Sequence, residues 1–299
     1  MPIDPQTILQ VRSTDMRVDY ADREVMLYAL GIGFGHDPLD ERELPFVLER
    51  NLRTMPTMAT TLGWRTDLAG PIGIDFSKVL QTGQSLTLSR PLPTAASVVV
   101  GERVIGAFDK GRDKGALLRL EKTIRDAVSG ELLCSLVATI LARADGGFGG
   151  PREGAPSPHP LPGRVPDIEI ECTTRPDQAL LYALSGDRNP LHRNPALARS
   201  AGFERPILQG LCTYGIACKA IVTGVCDYAS ERISAFDARF SAAVFPGETV
   251  VTDIWVDGSV VSFRSRVKER GIVALDNGRC VTGFQASFTA SGSGSSAPG

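Results

Sequence analysis

A break at residues 144–166 most limits what this 299-residue chain can fold into. The stretch reads ADGGFGGPREGAPSPHPLPGRVP, and 12 of its 23 residues are Gly or Pro. Gly is too permissive and Pro too restrictive for a helix or a central strand to run through it. It divides the chain into units 1–143 and 167–290, and the Gly/Ser-rich residues 291–299 read as a flexible tail. The two units echo each other. Residues 21–31, ADREVMLYALG, match residues 176–186, PDQALLYALSG, and each copy leads to a Pro-Leu pair, Pro38-Leu39 and Pro190-Leu191. A second echo joins Phe76-Ser77 and Gly83 to Phe240-Ser241 and Gly247, with a Phe-to-Gly spacing of seven in both. Repeats in the same order predict duplication of one unit of ~100–130 residues.

Each unit is expected to begin with a short helix and continue as strands. Period-two patterning predicts strands over 97–107, 116–127 and 132–142, with turns at 109–111 and 129–130. In the second unit the strands fall at 168–173, 233–242, 249–256, 260–268 and 271–288. Residues 210–226 are apolar on nearly every side, which predicts a helix buried all round. In the first unit the corresponding central helix is predicted at 53–62 and is shorter. The fold class expected is α+β: two tandem units, each an antiparallel sheet wrapped around a helix.

Composition narrows the function. With 42% hydrophobic and 22% charged residues the chain is ordinary globular protein. A net charge of -2 argues against a dedicated nucleic-acid binder. No uncharged stretch reaches the ~18 apolar residues of a membrane span. The six cysteines show neither a C-x2-C pair nor zinc-finger spacing and read as reduced thiols. The N-terminal residues lack a signal core and the C-terminal tail is not a peroxisomal address, so the expected setting is a bacterial cytoplasm.

The chain has three histidines, His36, His159 and His192. Histidine is the usual acid–base agent near neutral pH. His159 lies in the Gly/Pro stretch and reads as a solvated linker residue. His36, in GFGHDPLD, reads as a surface residue or a remnant. His192 belongs to Ser185-Gly186-Asp187-Arg188-Asn189-Pro190-Leu191-His192, where Gly186 permits a left-handed helix end and Pro190 forbids continuation. Such a rigid loop presents a carboxylate, an amide and an imidazole together, and hydration needs one group to take a proton while another gives one. The same residue types also serve as turn formers and a helix cap. Downstream, Gly210 opens the buried helix, whose first N–H groups can hold a developing oxyanion.

These phrases resemble a known family. ALLYALSGDRNPLH (179–192), AGFERPILQGLCTYG (201–215) and ARFSAAVFPGET (238–249) resemble the MaoC-like, hydratase 2 group of (R)-specific enoyl-CoA hydratases. In the first unit, REVMLYALGIG, FVLERNLRTMPTMA, KVLQTGQSLTLSRPLP, the DKG at 109–111 and GGFGGPR resemble its long form. The resemblance covers about residues 15–290. It implies a double hot-dog fold with one active site per chain, built from the second unit and covered by the first. It implies a hydro-lyase that adds water reversibly, syn, to a trans-2-enoyl-CoA and yields the (3R)-3-hydroxyacyl-CoA. Asp187 and His192 match the catalytic pair, Asn189 the loop amide, Gly210 the oxyanion donor and Glu49 an acidic residue of the first unit. Lys110, Gln81, Thr82, Arg188, Pro190, Leu191 and Phe240 fall at positions expected to contact the acyl-CoA. No metal and no cofactor is implied, since the coenzyme A thioester is the substrate, and a homodimer is expected. Gln209 and Gln81 stand where the family usually has His. The alternatives are a hot-dog acyl-CoA thioesterase and a catalytically silent acyl-CoA-binding subunit.

Overall fold

The computed structural model describes residues 3–64, 68–75 and 78–283. Its described strands form a single antiparallel ten-stranded sheet. The first half supplies β1 (Met16–Tyr20), β2 (Val79–Leu88), β3 (Ala96–Asp109), β4 (Ala116–Asp126) and β5 (Leu132–Ala142). The second supplies β6 (Ile168–Thr173), β7 (Ile233–Phe240), β8 (Thr249–Asp257), β9 (Val260–Val267) and β10 (Ile272–Thr282). The spatial order is β1-β3-β4-β5-β2-β7-β10-β9-β8-β6. Adding five to each number of the first half gives the second half in reverse, so the sheet is one motif used twice and joined at the β2–β7 seam. Through that seam Leu86 lies opposite Phe236 and Gly83 opposite Arg239.

The helices are α1 (Asp22–Gly31), α2 (Leu44–Val47), α3 (Ala69–Ile72), α4 (Gln178–Ala183), α5 (Pro195–Ser200) and α6 (Gly210–Gly224). α1 and α4 carry the LYAL echo and pack on each other, with the Tyr28 and Tyr182 rings 6.0 Å apart. α1 starts where the Glu24 carboxylate accepts from the Ala21 N–H at 3.0 Å, capping the first turn. α6 packs against β6, β7, β8 and β10. Its Tyr214 ring stands edge-on to Phe236 at 4.8 Å, and Phe236 stacks on Phe263. Burying a side chain such as Phe236 contributes about 1.5–3 kcal/mol, and one buried cluster runs through both halves. Among the described residues no helix is long and apolar enough to cross a membrane.

The approach of α1 to α6 depends on Gly215. A Cβ there would lie 2.5 Å from Ile32 Cγ2 and 2.8 Å from the Tyr28 hydroxyl. Both neighbours are buried, so Gly215→Ala should lower unfolding stability by roughly 1–3 kcal/mol in urea titration. An unchanged midpoint would show that α1 gives way freely.

Three expectations need correction. The helix predicted at 53–62 is a 3-10 turn, Pro56–Thr60, fully buried against α6. Pro56 offers no N–H, and the Thr60 and Thr61 hydroxyls bond back to the Thr57 and Met58 carbonyls at 2.8 Å, competing with helix bonds. The second sequence echo is not structural. Gly83 lies inside β2, whereas Gly247 precedes β8, and the β2 counterpart is β7. Phe76 and Ser77 of that echo lie outside the described residues, as do the last residues of the 271–288 strand prediction and the 291–299 tail. β1 was not anticipated.

The Gly/Pro stretch has no regular structure, but it is tied down. Asp109 accepts from the Gly147 and Gly149 N–H groups at 2.7 Å, and Trp255 Nε1 donates to the Arg164 carbonyl at 2.8 Å. His159 is therefore not a solvated linker residue. Its Nε2 meets Ser262 Oγ at 2.8 Å, its carbonyl accepts from Asn277, and it is half-buried.

Candidate active site

α4 ends at Ala183, and the chain turns through Gly186 at φ +133, a conformation open to glycine. Thr61 O and the Trp64 side chain of the first half lie against that glycine. The turn delivers Asp187 inward, 6% exposed. Asp187 Oδ1 accepts the Asn189 N–H at 3.1 Å, and Asn189 Oδ1 accepts the Leu191 N–H at 3.0 Å. Asn189 thus caps the short 3-10 turn Pro190–His192, which brings His192 back beside Asp187.

His192 Nε2 and Asp187 Oδ2 are 3.9 Å apart, with side chains 11% and 8% exposed. That separation is too long for a direct hydrogen bond and suits two groups sharing a third atom. The other ring nitrogen, Nδ1, lies 2.9 Å from the Ile207 carbonyl. A carbonyl only accepts, so Nδ1 carries the hydrogen and neutral His192 presents a lone pair at Nε2. Burial pushes the Asp187 carboxyl up, against the pull of His192 and the Asn189 N–H. Burial pushes the His192 imidazole down, against the pull of Asp187 and Ile207. Both shifts favour the uncharged forms, as desolvation requires.

Gly210 is the first residue of α6, so its N–H lacks an intrahelical partner. The Phe240 ring lies against it, and a Cβ at Gly210 would be 3.2 Å from that ring. Gln209, which replaces the family's usual His, is buried and donates from Nε2 to the Ala179 carbonyl at 2.9 Å. It fixes the start of α6 to α4, a task that needs a donor and not an ionisable group.

The remaining predicted residues divide. Pro190 and Leu191 lie in the 3-10 turn, and Arg188 is exposed on the loop before it. β2 bulges between Gln81 and Gly83, and the β2–β7 register sets Gln81 and Thr82 beside the end of β7 that carries Phe240. Gln81 Nε2 donates to Gln84 at 2.9 Å, and Thr82 to the Thr139 carbonyl at 3.2 Å. Lys110, in the β3–β4 turn, lies at the same end of the sheet and donates to the Arg152 carbonyl at 2.6 Å. Glu49 is exposed in the turn after α2 and takes no part in the Asp187–His192 contact. His36 is exposed. The Ile207 carbonyl, Thr61 and Trp64 were not found from sequence, since no spacing links them to the loop they touch.

Comparison with known proteins places this arrangement. A MaoC-like domain model matches residues 158–277, and a model of the MFE-2 hydratase 2 N-terminal domain matches residues 18–144. Enoyl-CoA hydratase 2, peroxisomal, of Arabidopsis thaliana is 42% identical over 287 residues, covering 90% of this chain and 92% of that protein. The 3-hydroxyacyl-thioester dehydratase Y of Mycobacterium tuberculosis is 39% identical, over 85% of this chain and 88% of its own. Among solved structures, a MaoC-like dehydratase from Phytophthora capsici superposes with a TM-score of 0.84 at 31% identity, over 95% of this chain and all of that one. A Mycobacterium tuberculosis protein described as having a double hot-dog fold matches at TM-score 0.55 and 15% identity, over 91% of this chain and 97% of that one, a likeness of fold alone. With the twice-used sheet motif and relatives of this identity spanning both halves, the chain belongs to the MaoC-like, hydratase 2 family and has its double hot-dog fold.

Proposed function

We propose that the protein is an (R)-specific 2-enoyl-CoA hydratase, running reversibly as a 3-hydroxyacyl-CoA dehydratase. The observation that carries this reading is the 3.9 Å Asp187–His192 pair, with His192 Nδ1 committed to the Ile207 carbonyl. One water fits between Asp187 and His192 Nε2 and donates a hydrogen to each. His192 takes a proton as the water oxygen bonds to the β-carbon of the trans-2-enoyl thioester. The pair returns a proton to the α-carbon from the same side, so one water is consumed and the addition is syn. The Gly210 N–H receives the thioester oxygen as it gains negative charge. Asn189 holds the loop in shape and helps order the water. Arg188, Pro190, Leu191, Phe240, Gln81 and Thr82 border the ligand, and Lys110 meets a coenzyme A phosphate. Glu49 is the acidic residue that the first half would contribute near the loop. No cofactor enters. The expected assembly is a homodimer in the cytoplasm.

Loss of the enoyl-thioester absorbance, followed across a chain-length series with a thiol dye present, tests this reading. Absorbance should fall without thiol release. Thiol release would make the protein a thioesterase, and binding without turnover would make it a silent subunit.

A pH dependence follows. Water activation needs Asp187 ionised and His192 neutral. Burial raises Asp187 from 3.8, so its ionised form is lost as pH falls toward that raised value, while burial lowers His192 from 6.5 and keeps the imidazole neutral further into acid. The profile of kcat/KM should therefore fall on the acid side, with its limb above the 3.8 of an ordinary aspartate. A rate that rises as pH falls would contradict it.

A further inference from the structure

The first half has a counterpart of the catalytic loop, and a buried ion pair fills it. The two halves follow one chain order, a strand, a LYAL helix, a loop, a buried central segment and then the remaining strands. Gly33 stands five residues after Tyr28, as Asp187 stands five after Tyr182. Across from the catalytic loop, Gly186 meets Thr61 and Trp64 of the first half's central segment. Across from the counterpart loop, Gly33 meets the second half's central helix, whose Lys219 ammonium donates to the Gly33 carbonyl.

Lys219 Nζ also lies 2.7 Å from Glu43 Oε1, with the side chains 13% and 11% exposed, and 4.6 Å from the centre of the Phe34 ring. Glu43 Oε2 accepts the Gly35 N–H at 2.7 Å. Beside the pair is a cavity of about 140 Å³ lined by Cys172, Ile216, Thr223 and Tyr228 among others. Where the second half has a carboxylate, the first has a glycine with φ +94 and no side chain. The Cβ that Gly33 lacks would lie 3.5 Å from Cys172 Sγ, and the Lys219 ammonium from the other half sits on the Gly33 carbonyl.

We propose that the Lys219–Glu43 pair closes the first half's counterpart of the catalytic site, leaving one thioester site per chain. The proposal rests on the hydratase reading, because only then is the catalytic loop a ligand site. An isolated buried charge is costly, and each partner here satisfies the other. Bonded also to Gly33 and Gly35, the pair holds the loop against α6 and fills the space a thioester would need.

The test uses the full-length protein, butyryl-CoA as a saturated and unreactive ligand, and a thiol reagent reading Cys172. In the wild type, calorimetry should give one butyryl-CoA per chain, with slow labelling of Cys172. In a folded Lys219→Ala/Glu43→Ala variant, Cys172 should label at least tenfold faster, while crotonyl-CoA hydration stays within about threefold. A Cys172→Ser control identifies the labelled thiol. Two butyryl-CoA per wild-type chain would overturn the proposal, and this check needs no variant. Unchanged labelling in the folded double variant would overturn it too. Failure of the hydratase reading looks different, with crotonyl-CoA left unhydrated by the wild type.

Discussion

Replacing His192 with Ala should lower kcat for crotonyl-CoA hydration by roughly 10²–10⁴-fold, the usual worth of a positioned acid–base group. The imidazole is the one group in the loop whose tautomer the fold fixes, with Nδ1 held by Ile207 and Nε2 turned to Asp187. The fold should survive, because the change removes one hydrogen bond worth about 0.5–1.5 kcal/mol and one small side chain. Circular dichroism and thermal melting check that. The other two histidines act as internal controls. His36→Ala should leave both rate and stability unchanged, since His36 is exposed. His159→Ala should leave the rate but cost some stability, because it breaks the contact with Ser262 that fastens the Gly/Pro stretch. If His192→Ala retains near-full activity while folded, the imidazole is not the base.

Asp187→Asn should separate activity from stability in a way that a purely structural aspartate would not. Asn retains an oxygen for the Asn189 N–H but cannot take a proton. The rate should fall by at least about 100-fold. Stability has its own sign. Burial raises the Asp187 carboxyl in the folded state. A group with a raised folded pKa contributes stability at low pH, and that contribution is lost as pH rises through the folded value. Above the folded value the ionised, buried Asp187 is therefore a net cost that Asn removes. The variant should melt at the same temperature as the wild type or higher while being nearly inactive, as expected of a residue kept for function. A large drop in melting temperature would instead assign Asp187 to loop formation.

The catalytic loop was legible in the sequence because its parts are local. Gly186, Pro190 and the Asp187, Asn189 and His192 spacing act within seven residues, and each obeys a backbone rule. The β strands were legible for the same reason, since runs of strand-forming residues end at local turns, although β8 is buried at its first seven positions and does not alternate. What escaped was long-range. Nothing in RTMPTMATTL announces that Thr hydroxyls will turn back on their own backbone, or that Trp64 will lie against Gly186. The Lys219–Glu43 pair joins positions 176 residues apart, and nothing local to either residue points to the other. His159 was misjudged because Gly/Pro composition rules out regular structure without saying whether the segment is docked. The Phe–Gly echo failed because equal spacing of common residues carries no register.

Asp187 and His192 are expected to add one water across the enoyl double bond from a single side. Wild-type hydration of crotonyl-CoA in deuterated water, followed by chiral and deuterium analysis of the product, tests it most directly. The expected product is (3R)-3-hydroxybutyryl-CoA with the deuterium at the α-carbon on the face that received the hydroxyl, and no free coenzyme A. A (3S) product, deuterium on the opposite face, or release of the thiol would contradict it.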